Sequence, residues 1–175
     1  MIVNQIKSHI RDIVDFPKPG IVFKDISPIL KNPSLCKAII QHKAELIAPL
    51  QPDVLLCLDS RGFWFGLGIA LELGIPMIPV RKEGKLPYSV ESQEYDLEYG
   101  TAKIEIQTDA IEPGTRVVIH DDLLATGGTA EACAKLAEKL GGKVVGFSFL
   151  VELTTLEGRK KLEIFNKEIL SPVKY

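Results

Sequence analysis

The sequence predicts an α/β fold, a central and mostly parallel sheet flanked by helices. Two stretches of the 175-residue chain carry that prediction. The first is the β-branched run Val117-Val118-Ile119, then His120, two acids at Asp121 and Asp122, the loop Ala125-Thr126-Gly127-Gly128-Thr129 and a segment with helical spacing. The second repeats that order. The apolar strand from Asp53 to Leu58 runs into Asp59-Ser60-Arg61-Gly62, and then into the nearly all-apolar segment Phe63 to Leu73. A third observation joins them: each polar cluster follows a predicted strand, and open parallel sheets bind ligands at the carboxyl ends of their strands.

In chain order, Val3, Ile6, Ile10, Ile13 and Val14 recur at helical spacing, so a short amphipathic helix is expected over 3–14. Phe16-Pro17-Lys18-Pro19-Gly20 stops it, because proline lacks an N–H and restricts the residue before it. Residues 21–30 should run extended, and Asn32-Pro33-Ser34 should start a helix reaching about Ala48. The segment Phe63 to Leu73 has so little polar face that it must be buried all round, in the core or against another subunit. Met77 to Val80 makes a third strand, ending in Arg81-Lys82 with Lys85 close behind. Gly84 to Thr101 has no sustained period and reads as a lid loop; Ala102 to Gln107 alternates as a strand. After the central motif, Ala132, Leu136 and Leu140 form a helical stripe ended by Gly141-Gly142, and Val144 to Val151 is a last strand. Residues 161–175 carry no chemical signal.

The central motif suits a phosphate beside a diol. The first turn of a helix has unpaired N–H groups and a partial positive charge. Gly127 and Gly128 allow close backbone approach, Thr126 and Thr129 add hydroxyls, and Thr129 is the expected N-cap. Asp121 and Asp122 would repel a phosphate but can accept from sugar hydroxyls or hold a Mg²⁺-bound water. Ser60, Arg61 and Gly62 form a second strand-to-helix turn, where N–H groups and a guanidinium could hold a diphosphate. Arg81, Lys82 and Lys85 are further cations for it. A Walker-type lysine and a G-x-G-x-x-G pattern are both missing.

A strand, two acids and Thr-Gly-Gly-Thr together resemble the binding motif of type I phosphoribosyltransferases. Asp15-Phe16-Pro17, Pro19-Gly20, Val22-Phe23 and Asp25-Ile26-Ser27-Pro28 narrow the resemblance to the adenine phosphoribosyltransferases, as do Gly84-Lys85-Leu86-Pro87, Tyr95 to Gly100 and Glu152 to Arg159. The likeness runs from about Asp15 to Leu162, departing at His120, where the family usually has an aliphatic residue. It implies the type I phosphoribosyltransferase fold as one domain over 1–175, with an N-terminal hood over about 1–33 and a flexible lid over about 84–101. It implies transfer of the phosphoribosyl group of phosphoribosyl pyrophosphate to adenine, with Mg²⁺, in a homodimer. By the same resemblance Val22, Phe23, Lys24 and Arg61 would bind adenine. Ser60, Arg61, Arg81, Lys82 and Lys85 would bind pyrophosphate. Asp121, Asp122 and the loop from Ala125 to Thr129 would hold the ribose and 5′-phosphate. Glu98, with Tyr99 and Arg61, would serve catalysis. No direct metal ligand is implied, Asp121 aside.

Composition narrows the alternatives. With 46% hydrophobic and 25% charged residues the chain has the balance of a soluble globular protein, and a net charge of −2 gives no case for nucleic acid or an anionic membrane. No run approaches the ~20 apolar residues of a membrane span, and residues 1–5 do not read as a signal peptide. Cys36, Cys57 and Cys133 form neither a disulfide framework nor a zinc pattern, so a reducing cytoplasm fits. Two other readings stay open: transfer to another base such as xanthine, hypoxanthine or orotate, and a sensor of phosphoribosyl pyrophosphate in a transcriptional repressor.

Overall fold

Val54 to Leu58 is buried at every position, which explains its unbroken apolar run: it is an inner strand of a sheet covered on both faces. The computed structural model describes residues 2–96 and 100–175. In order the elements are α1 (Ile2–His9), β1 (Arg11–Val14), β2 (Val22–Asp25), α2 (Ser27–Leu30), α3 (Pro33–Ile47), β3 (Val54–Leu58), α4 (Gly62–Leu73) and β4 (Met77–Lys82). There follow β5 (Val90–Asp96), β6 (Thr101–Gln107), β7 (Arg116–Leu124), α5 (Gly128–Lys139), β8 (Lys143–Glu152), α6 (Gly158–Leu162), β9 (Ile169–Leu170) and β10 (Val173–Lys174).

The sheet runs β10-β8-β7-β3-β4-β6-β5, with β9 also beside β8. Pairs from β10 to β4 are parallel, while β6 is antiparallel to both β4 and β5. Successive side chains leave opposite faces. Leu56, Val117, Ile119 and Phe147 therefore pack with α5 residues such as Cys133 and Leu136. Leu55, Cys57 and Val118 pack with Ile6, Ile39 and Ile69 from α1, α3 and α4. Asn32 caps α3, its Oδ1 accepting from Leu35 N at 3.0 Å.

Several expectations are corrected. The first helix stops at His9, and residues 11–14 instead form β1, antiparallel to β2 in a ribbon apart from the main sheet. Cross-strand ion pairs Arg11–Asp25 and Asp12–Lys24 favour the strand, and their partners lie too far along the chain for helical spacing to reveal. Residues 21–30 are only half extended: Pro28, which suits a first helical turn, sits in α2. Gly84 to Thr101 is not all loop. Val90 to Asp96 is an edge strand whose polar residues masked the alternation, tied to α5 by Glu91–Lys139 at 2.5 Å. The acids do not follow β7 but lie inside it, because pairing with β8 continues to Leu124–Glu152. Within the single chain the core covers only part of α4, leaving Trp64, Leu67 and Leu71 41, 55 and 72% exposed, which leaves the expected cover by another subunit untouched.

Residues 161–175 do carry chemistry. Glu152 is gripped by Arg159 through bonds of 2.9 and 2.7 Å and by the Ser171 hydroxyl. Between β9 and β10 the pairing with β8 lapses at Pro172, which has no N–H. There the fully buried Lys43 ammonium donates to Phe149 O at 2.8 Å and Leu170 O at 3.0 Å.

Candidate active site

The site lies along the carboxyl edge of β3, β4 and β7. Beyond β7 the chain turns into α5 through Gly127, whose φ of +80° is left-handed and suits glycine. Gly127 occupies the N-cap, so the helix starts at Gly128 and Thr129 is not its cap. Thr126 and Thr129, with Asp121, Ala125 and the two glycines, help line a cavity of about 90 Å³ at that helix N-terminus, and Phe149 of β8 forms part of its wall. Gly158 buttresses the loop from α6. A Cβ at 158 would run into Ala125 O and come within 2.9 Å of Gly127 N.

The two acids have different neighbours. Asp121 lines the loop cavity, and its Oδ1 accepts from Asp122 N at 2.8 Å. Asp122, 3% exposed, lies 3.1 Å from Arg61 Nε, a contact close enough for an ion pair but short of hydrogen-bond alignment. Burial, and then the charge of Asp122, push the Asp121 carboxyl well above the usual carboxylate range. Burial raises Asp122 as well, against the opposing pull of Arg61.

Arg61 reaches a second partner. Its guanidinium carbon stands 5.1 Å from the Phe23 ring centroid, and Phe16 meets that ring edge-on at 5.2 Å. Ile13, Phe16, Phe23 and Asp25 line a mostly apolar cavity of about 210 Å³ on the ribbon. Val22 is 44% exposed beside it in sequence. The Lys24 side chain turns elsewhere, to Asp12 at 2.8 Å, so only its main chain is free to meet a ligand on the Phe23 face.

The cations beyond β3 and β4 share an anchor that sequence reasoning missed. Asp59 Oδ2 accepts from Arg81 Nε at 3.2 Å and lies 3.5 Å from Lys85 Nζ, while Arg81 Nη1 donates to Lys85 O at 3.1 Å. The Asp59-Ser60 peptide is cis and Ser60 is exposed. Lys82 is exposed next to Arg81 on β4, where alternation directs it to the other face. The structure thus joins Phe23, Arg61 and Asp122 in one line, gathers Arg81 and Lys85 on Asp59, and wraps residues 125–129 beside Asp121. Glu98 and Tyr99 lie outside the described residues. His120 is a packing residue: it is 1% exposed, Nδ1 lies 3.2 Å from Ser148 Oγ, and burial with the Lys43 charge lowers its imidazole to about 3. Asp59 and Gly158 were hard to single out, because an acid after a strand and a lone glycine look like ordinary turn residues.

A phosphoribosyl transferase domain model matches residues 25–173. The adenine phosphoribosyltransferase of Cytophaga hutchinsonii is 63% identical over 170 residues, 97% of this chain and 94% of that protein. The crystal structure of adenine phosphoribosyltransferase from Thermoanaerobacter pseudethanolicus superposes with a TM-score of 0.95 at 50% identity, covering 99% of both chains. The Saccharomyces cerevisiae enzyme, complexed with an imino-altritol bisphosphate and adenine, gives a TM-score of 0.92 at 38% identity over 98% of each chain. Fold, family model and relatives agree: the chain belongs to the adenine phosphoribosyltransferase family.

Proposed function

We infer that this edge transfers the 5-phosphoribosyl group of phosphoribosyl pyrophosphate to adenine, giving AMP and pyrophosphate. The observation that carries the reading is the Phe23–Arg61–Asp122 line, which sets an aromatic base platform one guanidinium away from a sugar-binding acid. Loop N–H groups and the Thr126 and Thr129 hydroxyls hold the 5′-phosphate. Asp121 and Asp122 accept from the ribose hydroxyls. Ser60, Arg61, Arg81 and Lys85 draw charge off the departing diphosphate as the C1–O bond breaks and the adenine nitrogen bonds to C1. Lys82 remains a candidate only if the diphosphate reaches its face of β4. Val22, Phe23 and the Lys24 main chain take the base; Glu98, with Tyr99 beside it, receives the purine proton.

Mg²⁺ fits this donor set. The carboxyls of Asp121 and Asp122 are both raised by burial, and a cation nearby relieves that cost. Among the described residues no cluster of three or more His, Cys, Asp or Glu could cage a metal; the ion would be held through substrate and water, with Asp121 the candidate protein contact. When bound it supplies positive charge to the leaving diphosphate.

In this reading residues 1–33 form the hood and 84–101 the lid of one domain, and the lid excludes water from a cationic sugar. The exposed Trp64, Leu67 and Leu71 of α4 offer an apolar face for a second copy. Three free cysteines suit the cytoplasm, and no helix among the described residues is long and apolar enough to cross a membrane. Pyrophosphate release with Mg²⁺, phosphoribosyl pyrophosphate and a panel of bases tests the reading. Turnover with adenine and not with hypoxanthine, xanthine or orotate is expected; turnover with one of those in its place would refute the hood assignment.

A further inference from the structure

We propose that Tyr175 is a positioning residue for the base, holding the β1–β2 ribbon in place through the Lys24 ammonium; this rests on the adenine reading above. The ribbon pairs with no strand of the main sheet, and two strands alone are marginally stable in water. Contacts to the rest of the molecule must therefore fix where Phe23 stands. On one face the contact is Arg61 against Phe23. On the other, alternation turns Lys24 inward, its side chain only 11% exposed. Lys24 Nζ donates to both Asp12 oxygens at 2.8 Å and sits 4.0 Å from the centre of the Tyr175 ring. Lys7 of α1 approaches the same ring at 5.3 Å.

The ring is a firm base. Tyr175 N donates to Glu152 O at 3.0 Å, and Tyr175 O accepts from Thr154 N at 2.8 Å and from the Thr154 hydroxyl at 2.6 Å. Glu152 is itself locked by Arg159. An ammonium over an aromatic face is held by the ring's quadrupole, most strongly where water is excluded. The chain from β8 through Tyr175 and Lys24 thus sets the backbone on which Phe23 is carried.

The experiment compares Tyr175→Leu, which stays apolar but loses the ring and its quadrupole, with Tyr175→Phe, which keeps the ring and nearly all its bulk. Tyr175→Leu should raise KM for adenine about three- to tenfold, leaving kcat and KM for phosphoribosyl pyrophosphate unchanged. It should also speed hydrogen exchange at Val22 to Asp25 in the substrate-free protein, and Tyr175→Phe should restore both readouts. Unchanged exchange in Tyr175→Leu, a joint rise in both KM values, or a Phe variant as impaired as Leu would each overturn the proposal. An unmodified protein inactive with adenine would sink the function reading instead, and exchange alone would then decide the anchoring.

Discussion

Gly158→Ala tests whether the loop proposed to take the 5′-phosphate is held from behind. The new Cβ would stand 2.9 Å from Gly127 N and 2.9 Å from Thr126 C, where ordinary contact begins near 3.4 Å, and would overlap Ala125 O outright. All three atoms are backbone, so no side chain can swing away. The loop must retreat by roughly 0.5 Å or more, in a site where misplacement of about 1 Å can cost 100-fold. Losing one hydrogen bond to a charged phosphate corresponds to about 1.5–3 kcal/mol. At about 1.4 kcal/mol per tenfold, affinity for phosphoribosyl pyrophosphate should fall roughly 10- to 100-fold. Calorimetric titration gives that number directly, with initial rates supplying KM for adenine, which should stay within about twofold. A folded Gly158→Ala protein that binds phosphoribosyl pyrophosphate as tightly as its parent would show that α6 does not shape the loop.

Lys43 predicts a pH dependence. Burial lowers its ammonium to about 7 from 10.5, so between those values the unfolded chain holds a proton that the folded chain lacks, and this group's contribution to stability rises with pH. Urea unfolding at pH 7, 8 and 9 should show the parent gaining stability relative to Lys43→Met as pH rises; parallel curves would refute a neutral amine. Arg159→Ala leaves the Glu152 carboxylate, 5% exposed, with the Ser171 hydroxyl but without its counter-ion, and should cost about 3 kcal/mol. Calorimetry should then find Tm lowered by about 6–12 °C, and an unchanged Tm would make the pair ornamental. Glu98→Gln should cut kcat about 100-fold or more with affinity for phosphoribosyl pyrophosphate intact. Unaltered turnover would remove Glu98 from the proton transfer.

What was legible in the sequence were the elements whose cause is local. The run from Val54 to Leu58 and the stripe through Ala132 and Leu136 state their burial in their own spacing. The glycines after β7 were legible as room for close backbone approach; that Gly127 takes a left-handed φ of +80° at the turn into α5 came with the structure. What stayed hidden depends on partners distant along the chain. β1 exists because Arg11 and Asp12 meet Asp25 and Lys24, and β5 because β6 and Lys139 receive it. Asp59 gains its role from Arg81 and Lys85, and Gly158 from the backbone of residues 125–127. Periodicity cannot report such pairings.

The placement of the acids inside β7 explains why two adjacent aspartates can do separate work. In a loop, neighbouring carboxylates would share one environment and compete for one partner. In a strand, alternation aims them at different neighbours, although Asp121 Oδ1 still accepts from Asp122 N. Asp121 joins the wall of the cavity at the 125–129 loop, while Asp122 turns to Arg61, which also touches Phe23. The pairing of β7 with β8 through Leu124 enforces the split, because that ladder keeps the backbone extended past the acids. Changing one acid should therefore leave the other's contact standing. Asp121→Asn should weaken phosphoribosyl pyrophosphate binding with adenine affinity unchanged. Asp122→Asn should disturb both, because Arg61 loses the charge opposite Phe23. Titrating each ligand separately against both variants decides it, and identical losses from the two substitutions would mean that the acids act as a single unit after all.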